Sequence, residues 1–78
     1  MLALVIVACL SGQPDLPGNC RGFVHAERWS SPTGCAVAAM RVAPDFERSH
    51  AGWRFREAVC VPGPHLRRVL ARLNGEDV

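Results

Sequence analysis

The first ten residues, Met1-Leu2-Ala3-Leu4-Val5-Ile6-Val7-Ala8-Cys9-Leu10, are apolar without a break. The run has no charge, Gly or Pro, and it stops at the turn formers Ser11-Gly12-Gln13-Pro14. A β-branched apolar run of this length predicts a strand covered on both faces. Ser11 to Asn19 carries Gly12, Pro14, Pro17 and Gly18 and reads as a loop. After Cys20, Phe23, His25, Glu27 and Trp29 alternate with Val24, Ala26 and Arg28, which predicts a second strand over 21–28.

Ser31-Pro32 is a helix start, with Ser31 as N-cap and Pro32 in the first turn. Cys35, Ala39, Val42 and Phe46 recur on one helical face, with Ala36 and Met40 beside them. Pro44 lies inside this pattern. It has no N–H for the Met40 carbonyl, so the helix is expected to kink or break near Ala43 and restart at Asp45. Trp53 to Val61 predicts a third strand, with Trp53, Phe55, Val59 and Val61 expected on one face and Arg54, Arg56, Ala58 and Cys60 on the other. From Pro64 onward, Leu66, Val69, Leu70 and Leu73 stand at i, i+3, i+4 and i+7, an amphipathic helix closed by Asn74-Gly75.

The expected fold is α+β in the order β-β-α-β-α. A three-stranded sheet has the first strand central, and the kinked helix lies on one face. The C-terminal helix covers the other face or leaves to find a partner. Residues 1–62 are expected to form a disulfide-stapled ββαβ core and 63–78 an amphipathic tail, one domain overall. A chain of 78 residues has a marginal core and benefits from staples.

The opening run has rival readings. A membrane-spanning helix needs about 20 apolar residues, twice what is present. A secretory signal begins with basic residues, yet none precedes Arg21. Val5-Ile6-Val7-Ala8-Cys9 also has the look of a lipobox, with Cys9 as lipid acceptor. The eight residues before it are too few for a charged start plus an apolar core. The strand is preferred and no membrane span is expected.

Charge and composition narrow the roles. Nine basic residues, all Arg, against seven acidic ones give a net charge of +2, too weak a balance to point to nucleic acid. The four cysteines pair on this topology as Cys9–Cys20 at the hairpin end and Cys35–Cys60 at the other. Free thiols in a reducing setting are the alternative. There is no CxxC, and His25, His50 and His65 are not grouped with any cysteine, so no metal site is expected. Cys35 at a helix start is where a reactive thiol could be activated, but no partner base is recognisable. Glycine-rich phosphate loops, paired carboxylates and GxSxG are absent. The chain is therefore expected to be no enzyme and to need no cofactor.

Val7-Ala8-Cys9-Leu10, Cys20, Cys35, His50-Ala51-Gly52-Trp53-Arg54 and Cys60 together resemble small uncharacterised proteins of alphaproteobacteria and their phages. The resemblance spans about residues 4–60, with Ala51 standing where that group has Pro. It implies a phage or prophage setting and assigns no active residue. The expected role is a small virion accessory protein, a capsid decoration or cement protein that binds other protein chains. Two open sheet edges and the stripe Leu66, Val69, Leu70 and Leu73 are its expected contact surfaces. The alternative is a periplasmic or extracellular binding module, anchored through Cys9, and a weaker third option is a regulator of a host enzyme.

Overall fold

The computed structural model describes residues 1–74. Strand β1 (Leu2–Leu10) and strand β2 (Cys20–Trp29) form a hairpin, helix α1 (Pro32–Ser49) crosses over, and strand β3 (Trp53–Pro62) follows. A single 3-10 turn (Gly63–His65) leads into helix α2 (Leu66–Leu73). The sheet order is β2-β1-β3 with both pairings antiparallel, so the fold is α+β with the opening strand central. The stop expected at Asn74-Gly75 begins at Asn74; Gly75 and the rest of the 63–78 tail lie outside the described residues.

The apolarity of β1 is used on both faces, and Ala3 to Cys9 are all buried. On one face Ile6 and Ala8 meet Phe46 of α1, with Phe23, Val42, Trp53 and Phe55 packed around them. On the other face α2 lies over β2, and a methyl placed on Gly22 would stand 2.9 Å from Leu73 Cδ1, 3.2 Å from Val5 Cγ1 and 3.4 Å from Leu70 Cδ2. Glycine at 22 lets these side chains lie directly on the strand; a larger residue would push them back. The tail therefore packs on its own sheet, and Ala71 is buried there.

Both disulfides are present, Cys9–Cys20 and Cys35–Cys60. Cys9 and Cys20 are a directly opposed cross-strand pair. Cys35, in the first turn of α1, is fastened to Cys60 on β3.

Three expectations change. First, α1 does not break and restart at Asp45: it is one helix from Pro32 to Ser49, with Pro44 inside it. An interior proline costs about 3 kcal/mol, but here Pro44 and Met40 are both exposed, so water can hydrate the freed Met40 carbonyl. Cys35 on one side and buried Phe46 on the other hold the helix to the sheet across the gap.

Second, β3 does not alternate regularly. Phe55 opposes Ala8 while Glu57 opposes Val7, so a bulge absorbs Arg56. Trp53 and Phe55 therefore share the α1 face with Ala58 and Cys60. Val59 and Val61 point to the α2 face with Arg54 and Glu57. A bulge is what lets a strand supply aromatics to one face and valines to the other.

Third, Met40 and Ala36 lie on the exposed side of α1 and not beside its core face. The capping prediction holds: Ser31 Oγ accepts the Gly34 N–H at 3.0 Å.

Candidate functional site

The groove between β2 and α1 is the candidate site. Helix α1 leans toward β3, to which its disulfide ties it, and stands away from β2. Strand β2 also departs from β1: Ala3 opposes Arg28 but Val5 opposes Val24, so residues 25–27 bulge outward. The bulge is held by side chains. The Glu27 N–H donates to His25 Nδ1 at 3.1 Å, and the Arg28 guanidinium donates to the His25 and Glu27 carbonyls at 2.8 and 3.0 Å.

The resulting hollow has a volume of about 530 Å³, within the range of ligand sites. Ile6, Phe23, Val42 and Phe46 form its floor, and Arg41, Asp45 and Ser49 line the helix side at i, i+4 and i+8. A smaller hollow of about 260 Å³ continues past His25 and Arg41 to Trp29 and Val37. The floor is stiffened by aromatic contacts. Phe46 stacks on His50 at 4.2 Å, and Phe23 meets Phe46, His50 and Trp53 edge-on at 5.1 to 5.4 Å.

Ser49, His50 and Asp45 have the composition of a nucleophile relay but not its geometry. Ser49 Oγ lies 3.2 Å from His50 Nδ1, yet its hydroxyl also reaches the Asp45 and Phe46 carbonyls at 2.9 and 3.3 Å. His50 Nδ1 also lies 3.1 Å from the Phe46 carbonyl. The Asp45 carboxylate faces Arg48, not the histidine. These groups close the C-terminal turn of α1. Cys9, Asp15 and Cys20 bring ligand-type atoms within 4.8 Å of one another, but both sulfurs are committed to the disulfide.

Part of the expected contact surface is used inside the chain. Leu66, Val69, Leu70 and Leu73 are each half-buried, and Leu70 and Leu73 face Gly22 and Val5. Asn74 Oδ1 accepts the Gly22 N–H at 2.8 Å, capping the edge of β2. Glu47 Oε2 accepts the Phe55 N–H at 2.9 Å on β3. Each sheet edge thus has one outward N–H closed by a side chain, which opposes strand addition at that point. Sequence reasoning missed Glu47 and Asn74, because each pairs with a backbone group that no local pattern marks. The i, i+4, i+8 spacing of Arg41, Asp45 and Ser49 was legible, but the bulge that opens the groove beside them was not.

Among the described residues no helix is long and apolar enough to cross a membrane. Comparison with protein-family models, curated proteins and solved structures returns no match.

Proposed function

We propose that the chain is a non-enzymatic interaction protein that binds another protein chain through the β2–α1 groove in an oxidising setting. The carrying observation is the groove itself, a hollow of about 530 Å³ with an apolar, aromatic floor and a polar rim. Such a site accepts the apolar side chains of a partner while its rim fixes orientation. The polar groups beside it are tied into the ends and bulges of the fold, which supports binding over turnover. Two disulfides support an oxidising setting, for which the virion surface is the first reading and the periplasm or extracellular space the second.

Anchoring through Cys9 is not retained in this proposal. Lipid processing would remove residues 1–8, most of the central strand, and Cys9 Sγ is bonded to Cys20.

The test is an NMR titration of the oxidised protein with N-acetyl amides of Leu, Phe and Trp. Saturable amide shifts confined to Phe23, His25, Val42, Phe46 and His50, and abolished by Val42→Arg, support the groove. Shifts spread over the surface, or turnover of ester and amide substrates that Ser49→Ala removes, contradict the proposal. Co-sedimentation with purified virions, against recovery from periplasmic or medium fractions, separates the two settings.

A further inference from the structure

We propose that the occupant of the β2–α1 groove is helix α1 of a second copy of the chain. The result is a two-fold dimer in which the two α1 helices lie antiparallel, side by side, between the two sheets. This inference rests on the groove reading above and names its partner.

The walls of the groove restrict what can enter. The β2 backbone beside it is closed by its own side chains: the Glu27 N–H donates to His25 Nδ1, and the Arg28 guanidinium donates to the His25 and Glu27 carbonyls. An added strand finds no partners along this stretch. A helix satisfies its own backbone and offers side chains alone, so a helix laid in the groove is the mode that fits. With α1 drawn toward β3 by its disulfide, the space left over β2 is that of a second helix in the same layer.

The chain itself carries a helix of the required chemistry. Ala36, Val37 and Met40 stand together on the outer side of α1, all exposed, Met40 at 75%. Helix positions that face away from a core are ordinarily polar. Val37 borders the smaller hollow, so this apolar strip is continuous with the groove. A two-fold axis parallel to the sheets turns each strip toward the aromatic floor of the other copy, at Phe23 and Phe46.

Charge selects the same arrangement. Arg41 and Asp45 lie one turn apart on the flank of α1 that lines the groove. Among the described residues Arg41 is in no ion pair, and Asp45 has only a 3.5 Å contact with Arg48 between exposed side chains, which is weak. In an antiparallel pair with the axis beside Ala43, Arg41 of each copy stands opposite Asp45 of the other, and both pairs close at once. A two-fold interface requires this self-complementarity. A parallel pair would set Arg41 against Arg41.

Sedimentation equilibrium of the full oxidised chain tests the proposal. The expected result is a reversible monomer–dimer equilibrium with Kd below about 1 mM. Met40 does not line its own groove, so Met40→Glu spoils only the inserted strip; it should weaken the dimer by at least about 100-fold. Arg41→Asp and Asp45→Arg should each weaken it by at least about tenfold through opposed like charges. The double substitution, or an equimolar mixture of the two single variants, should restore it. A chain monomeric at about 1 mM, a dimer indifferent to Met40→Glu, or folded charge variants that fail to recover on mixing overturns the proposal. All three positions are exposed, and circular dichroism matching that of the unmodified chain separates loss of association from loss of fold. The amide titration repeated on Met40→Glu, whose own groove stays open, tests the groove by itself. Shifts there beside a monomeric parent chain sink the dimer and leave the groove; their absence sinks the groove reading.

Discussion

Replacing Pro44 with Ala should stabilise the protein, although a prolyl residue in so long a helix invites the opposite guess. Pro44 sits inside α1 and leaves the Met40 carbonyl without its helical donor. Both residues face solvent, Met40 at 75% exposure, so Ala introduces no clash and restores one hydrogen bond. Proline costs about 3 kcal/mol against alanine in a helix interior. Proline also restricts the unfolded chain, an advantage of about 0.4–1 kcal/mol that Ala forfeits. The net gain is about 2 kcal/mol, a rise of about 8–16 °C in Tm for a domain of this size. Urea unfolding and calorimetry of the oxidised protein measure it. An unchanged or lower Tm would refute the reasoning. It would mean that the helix path at Pro44 is what seats Phe46, two residues later, on Ile6 and Ala8.

Other outcomes follow from the same contacts. Removing Cys35–Cys60 by double Ala substitution should cost about 3.5 kcal/mol and removing Cys9–Cys20 about 2.8, because the first closes a loop of 25 residues and the second one of 11; denaturant midpoints at equal m-values rank them. Gly22→Ala should destabilise by about 1–3 kcal/mol as its methyl meets Leu73 and Val5, measured by thermal unfolding. Glu47→Ala should cost less than about 1 kcal/mol yet raise self-association at high concentration, read by light scattering, because it uncovers the Phe55 N–H on an edge strand.

The sequence made the architecture legible because its strongest signals were local and redundant. The unbroken run of β1, the Ser31-Pro32 start and the Leu66/Val69/Leu70/Leu73 stripe each specify an element. The topology built from those elements then favours the pairing Cys9–Cys20 and Cys35–Cys60, which is the pairing found. What escaped was set by pairing between distant segments. The β3 bulge at Arg56 moved Val59 and Val61 to the face opposite Trp53 and Phe55, and strict alternation cannot reveal a bulge. Pro44 carries a correct local penalty that tertiary anchoring at Cys35 and Phe46 outweighs. The edge plugs Glu47 and Asn74 and the groove at the 25–27 bulge depend on where α1 and α2 come to rest. The candidate site was therefore far less legible than the fold.

The central claim is that the chain covers its own central strand on both faces, with α2 seated on Gly22. Residue-resolved amide exchange of the native oxidised protein tests it at two neighbouring edge positions. Along an antiparallel strand the N–H groups alternate, so Gly22 and Val24 both point away from β1, but among the described residues only Gly22 has a partner, Asn74 Oδ1 at 2.8 Å. The account predicts that Gly22 exchanges at least about tenfold more slowly than Val24, with the 4–9 amides slowest of all. Equal, fast exchange at Gly22 and Val24 would contradict it, and would leave the second face of β1 for another chain to cover.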